Sequence, residues 1–144
     1  MSPSFTDATA LTYRPDLDVL FVRWPQPVYA FATREVYQRV LDLAQETNAR
    51  YWLFDLRSRG SYSEEDSQWI RDEFFPSLHS RFGNVTHVAY LLTPAHIKDY
   101  AFLKAAAEAR QKTWYGKWAD FEGFTSETEA LNWLKHNQLA EMVN

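Results

Sequence analysis

Eleven residues near the end of the chain, Phe124-Thr-Ser-Glu-Thr-Glu-Ala-Leu-Asn-Trp-Leu134, hold a strand end, a helix cap and an amphipathic helix in one phrase. Ser126 with Glu129 three positions later makes a capping box, in which the hydroxyl accepts from the helix's free N–H and the acid reaches back. Ala130, Leu131, Trp133 and Leu134 supply the apolar side of the helix. A strand handed directly to a helix is the joint from which α/β folds are built.

The same joint recurs upstream. Leu11-Thr-Tyr-Arg14 and Leu17-Asp-Val-Leu-Phe-Val-Arg-Trp24 flank a Pro15-Asp16 turn and predict two strands. Val19–Val22 is continuously apolar, which predicts cover on both faces. Pro25 and Pro27 stop that strand, because neither donates to a ladder. Thr33 is an expected N-cap for a helix carrying Val36, Tyr37, Val40, Leu41 and Ala44 at helical spacing, with Asn48 at its end. Tyr51-Trp-Leu-Phe54 predicts a third strand, terminated by Asp55. Ser63 with Asp66 caps a second helix whose stripe is Trp69, Ile70 and Phe74, and Pro76 ends or kinks it. Val85–Leu92 predicts a fourth strand, closed by Thr93-Pro94. A third helix follows from near Ala95 or Lys98 to Arg110, and a last strand spans Trp118–Phe124. Lys112–Trp118 fits helix end, loop or strand equally. The order is β-β-α-β-α-β-α-β-α, an α/β fold with a mixed, largely parallel sheet of four to five strands and four helices.

At 144 residues the chain suits a single domain over 1–144, with residues 1–10 as a flexible N-terminal segment. Six Trp, eight Tyr and ten Phe are ample for a core without staples, and the lack of cysteine excludes disulfides and thiolate chemistry. No apolar run reaches the ~20 residues that span a bilayer, and no secretory leader is visible, so the expected location is cytoplasmic. A net charge of −4 gives no electrostatic reason to bind nucleic acid.

Element order and joints together resemble the SpoIIAA-like family, which groups STAS and SEC14-like domains of small bacterial proteins. The residues that carry the resemblance are the strand pair through Trp24, Trp52-Leu-Phe-Asp55, Ser63-Glu-Glu-Asp-Ser-Gln-Trp69-Ile70, Val88-Ala-Tyr-Leu-Leu92 and Phe124–Leu134. It covers nearly the whole chain and implies a non-enzymatic module that is regulatory, partner-binding or a carrier of an apolar ligand. In the anti-sigma-factor antagonist branch of that family, the second helix begins at a phosphorylatable Ser inside an Asp-Ser-Ser/Thr-Gly phrase. Here Asp55 is followed by Leu56-Arg57-Ser58-Arg59-Gly60-Ser61-Tyr62-Ser63, so that switch carries over to no defined residue.

The loop from Asp55 to Ser63 lies where parallel sheets place function, at the carboxyl end of a strand. Asp55, Arg57, Ser58, Arg59 and Ser61 are its candidate contact residues. Arg57 and Arg59 invite an anion, but with Asp55, Glu64, Glu65 and Asp66 the local sum is −2, which favours a self-paired loop. Ser58, between the arginines, is electrostatically the best-placed serine for modification. Trp114 and Trp118 are a second candidate surface, suited to a ligand groove or to contact between two copies.

Four histidines, His79, His87, His96 and His136, fall on separate elements with no close-spaced pair, so no metal site is expected. No nucleophile elbow or phosphate-cradling glycine loop appears. The expected function is a binding or regulatory domain acting through a partner protein, without cofactor or catalysis. The alternatives are a carrier of a small apolar or lipid-like ligand, or a hydrolase whose carboxylates converge only in the fold.

Overall fold

Val19, Leu20, Phe21 and Val22 are all buried, because the strand they form has helices on both of its faces. The computed structural model describes residues 10–24, 30–60, 62–98, 100 and 119–143. Within them β1 (Ala10–Arg14), β2 (Val19–Arg23), β3 (Tyr51–Asp55), β4 (Thr86–Leu91) and β5 (Ala119–Phe124) form one sheet in the order β1-β2-β3-β4-β5. β1 and β2 are antiparallel, and every later pair is parallel. Leu17 and Asp18 belong to the β1–β2 turn rather than to β2; Leu17 N–H bonds Arg14 O at 3.1 Å and Asp18 takes a positive φ of 53°. Among the described residues the helices follow the expected order: α1 (Ala30–Thr47), α2 starting at Glu64–Trp69, α3 over 94–98 and Tyr100, and α4 (Glu127–Val143).

Strands added in chain order, all in one direction, send crossovers of one hand to one face. That face carries Leu20, Val22, Trp52, Phe54, Val88, Tyr90 and Phe121 from the sheet, and Val36, Tyr37, Val40, Ile70 and Phe74 from α1 and the α2 region. The opposite face shows the alternate residues, Val19, Phe21, Tyr51, Leu53, Ala89 and Leu91, and α4 covers them with Ala130 and Leu134. The two-residue period of each strand divides its apolar side chains between the two layers.

Three joints show how local chemistry sets this path. Thr33 is not a cap: α1 begins at Ala30, so Thr33 lies inside its first turn, buried, and its Oγ1 accepts from the Arg59 guanidinium. Asn48 does end α1, with a positive φ of 55°, a conformation Asn tolerates better than most residues. Pro76 does not end the α2 region. The turn before it widens to a π segment at Ile70–Phe74, with Phe75 N–H reaching Ile70 O, and helix resumes through Phe75–Ser77 to a 3-10 turn at Leu78–Ser80. The wider turn gives room to a ring that clashes with the carbonyl four residues back in an ordinary helix.

Ala10 belongs to β1; the rest of the expected N-terminal segment lies outside the described residues, as do Pro25, Pro27 and the ambiguous stretch 112–118.

Candidate functional site

The carboxyl ends of β2 to β5 form a rim. There the ladder is prolonged by Trp24 N–H to Asp55 O at 3.3 Å, Leu56 N–H to Leu91 O at 2.9 Å and Leu92 N–H to Phe124 O at 2.8 Å. The chain then leaves β3 in a tight turn, with the N–H groups of Arg59 and Gly60 both on Leu56 O at 3.2 and 2.9 Å. Gly60 takes φ +89°, which an L side chain rarely adopts, and its Cα faces the His96 ring at the start of α3.

Asp55 emerges at this rim, as expected, and is surrounded by donors. Arg57 gives Oδ1 its backbone N–H at 3.2 Å and its Nε at 2.9 Å, and gives Oδ2 its Nη2 at 2.9 Å. Arg23 adds Nη1 to Oδ2 at 2.9 Å. Burial pushes the Asp55 carboxyl up, but the Arg57 bonds and the Arg23 guanidinium outweigh it and leave the group below the usual carboxylate range. Asp55 is therefore ionised and saturated, and ill suited to act as general acid or base.

Glu127, the first residue of α4, completes the cluster. Its Oε1 accepts from Arg23 Nη1 at 2.8 Å and stands 3.8 Å from Arg57 Nη2. The Asp55 side chain is 12% exposed, against 37% for Arg23, 46% for Arg57 and 37% for Glu127. A pair as solvated as Arg23–Glu127 contributes about 0.2–1 kcal/mol. Removing the enclosed Asp55 costs more, about 1–3 kcal/mol, because the Arg57 backbone N–H and guanidinium donors lose their acceptor.

Arg57 and Arg59 do not act together. The loop crosses over the carboxyl end of the sheet, so Arg57 turns to the α4 layer and Arg59 to the α1–α2 layer. Arg59 lies over the Tyr62 ring at 4.5 Å and the Trp24 ring at 5.5 Å while it donates to Thr33 Oγ1. Arg23 takes the place beside Arg57 that was expected of Arg59. Arg23 and Glu127 are the site residues that sequence reasoning missed, lying 32 and 72 positions from Asp55 along the chain. One signal was available: Arg23 and Asp55 each follow directly on an apolar run, and the parallel register pairs them.

Beneath Arg59, Tyr37 shares its hydroxyl with Tyr62 at 2.8 Å and with Tyr90 at 2.9 Å. Burial is the main cause that holds all three phenols well above their usual range, so they stay neutral. Ser63 caps α2 as expected, its Oγ accepting from Asp66 N–H at 3.0 Å. Asp66, the capping-box partner expected for Ser63, is buried, with Arg34 Nε 3.7 Å from its Oδ1. Ser58 is exposed on the rim. Ser61, Trp114 and Trp118 lie outside the described residues.

A second polar cluster closes the amino ends of the strands. His87 is buried on β4 and stacked on Tyr51 at 5.3 Å. Asp120 Oδ2 lies 3.6 Å from its Nδ1 and Glu141 Oε1 3.4 Å from its Nε2. Arg50 holds Glu141 through two donors, Nη1 at 3.0 Å from Oε1, which lowers that carboxyl to about 2. His96 accompanies Thr93, and the His79 side chain is not described. Among the described residues no three histidines or carboxylates are placed to hold a metal ion, and no helix is long and apolar enough to cross a membrane.

Compared with protein-family models, curated proteins and solved structures, the chain matches none of them.

Proposed function

We propose that this chain is a non-enzymatic binding module that docks a partner protein on the rim formed by residues 57–60 and the first turn of α2. One observation carries the reading: Asp55, the acid at the end of the central strand, is fully engaged by Arg23 and Arg57. A rim whose acid is locked in ion pairs suits the presentation of a fixed surface better than proton transfer. Its outer parts are the exposed Arg57, Ser58, Glu64 and Glu65. Inside, Tyr37 packs against Phe54 at 4.9 Å and Phe74 at 4.8 Å, so those rings fill the layer below. That packing favours binding on the rim over a ligand carried beneath it. Membership of the SpoIIAA-like family is part of the same proposal, supported by the element order and by strands laid in chain sequence.

The test is photo-crosslinking in cells. A crosslinking residue at Ser58 should give one discrete protein adduct that Arg57→Glu removes. The same residue at the exposed Asn84, in the loop before β4, should not give it. Identical adducts at both positions, or none at Ser58, would refute the docking surface.

A further inference from the structure

Two acids sit on the Arg23–Arg57 pair, and they are held on different terms. Asp55 is enclosed and accepts four hydrogen bonds. Glu127 accepts one, from Arg23, with Arg57 at 3.8 Å, and it is more than a third exposed. We propose that Glu127 occupies, from within the chain, a carboxylate-binding site built by Arg23 and Arg57, and that an acidic side chain of the docking partner takes its place. This inference rests on the docking surface proposed above and supplies the chemistry of the group that docks there.

The charge balance selects the occupant. Two guanidiniums and Asp55 leave one positive charge uncompensated, which a single carboxylate neutralises. A phosphate dianion would exceed it and face the Asp55 carboxylate at close range. The position is on an open rim beside the exposed Ser58, so an isolated carboxylate binds there only weakly, through the two guanidiniums. A protein side chain brings neighbouring contacts with it.

Displacing Glu127 leaves the fold intact, because its helix is capped by another residue. Ser126 Oγ accepts from Glu129 N–H at 3.3 Å, and Ser126 O accepts from Ala130 N–H at 3.0 Å. A displaced Glu127 stays in the first turn of α4, where the helix dipole favours a negative charge. The exchange therefore swaps one solvated carboxylate for another.

The experiment is an NMR titration of the arginine Nε–H signals with a blocked tripeptide centred on glutamate, against its glutamine counterpart. In Glu127→Gln the glutamate peptide should saturate the Arg23 and Arg57 shifts at a concentration roughly two- to fivefold lower than in the unaltered protein. The glutamine peptide should have no such effect, and Arg57→Gln in the same background should abolish the response. Glu127→Ser provides a second open site should Glu127→Gln disturb the backbone spectrum. Equal titrations with and without Glu127, or equal responses to the two peptides, would overturn the proposal. A Ser58 adduct that persists when the titration fails sinks the carboxylate assignment alone, whereas loss of the adduct sinks the docking surface itself.

Discussion

Asp55 ties together two strands, a loop and, through Arg23, the start of α4. Asp55→Asn should therefore lower unfolding free energy by about 1–3 kcal/mol in urea, since the amide cannot accept from all of the donors now facing it. Arg57→Gln should cost less, at most about 1 kcal/mol, because that guanidinium is nearly half exposed. In the tyrosine trio Tyr37 is the shared member, so Tyr37→Phe takes that partner from both the Tyr62 and the Tyr90 hydroxyls, whereas Tyr90→Phe leaves Tyr37 still bonded to Tyr62. The expected loss for Tyr37→Phe is about 1–3 kcal/mol and exceeds that of Tyr90→Phe in the same denaturation assay. Individual residues were the least legible scale in the sequence. Asp55 at a strand end followed from the apolar run before it. That Arg57 and Arg59 part to opposite layers did not, because it depends on where a turn crosses the carboxyl end of the sheet. The burial of Asp66 did not follow either, because a capping box places an acid in a first turn without saying which side of that turn faces the core.

Gly123 governs how α3 meets the sheet. A Cβ there would stand 2.5 Å from Tyr100 Cδ1 and 2.9 Å from Ile97 Cδ1, so the bare Cα lets the helix approach β5. Gly123→Ala should destabilise by about 1–3 kcal/mol through overpacking. Hydrogen exchange should localise the change to residues 94–98 and β5 and leave α1 protected. Elements were far more legible than single residues. Apolar runs of four residues marked β2 and β3, and the Ser63 and Ser126 caps mark where helices start. The helix past Pro76 was the exception, since a π turn that accommodates proline leaves no mark in hydrophobic spacing. The start of α1 was another, because Thr33 has the chemistry of a cap but serves Arg59 instead.

Across the whole molecule, ionisable groups at the two ends of the sheet set opposite limits on stability. The Glu141 carboxyl is lowered from 4.5 to about 2, first by its Arg50 hydrogen bonds, with Tyr51 and His87 nearby. A depressed carboxyl contributes stability that is present above 4.5 and lost as pH falls towards 2. Arg50→Met should thus be less stable at neutral pH, by on the order of 2 kcal/mol, and show a flatter acid limb between those values in thermal melts. Tyr37, Tyr62 and Tyr90 work in the other direction: raised phenols contribute stability that is present below 10 and lost as pH climbs through their folded values. The overall architecture was legible because alternating strands and helices admit few topologies. The uneven cover of its two faces follows from crossovers of one hand. During synthesis, then, a ribosome must have delivered residues 127–143 before Val19, Phe21, Leu53 and Leu91 find their shelter. Until that moment the nascent sheet offers a sticky side to chaperones and to its neighbours on the same message.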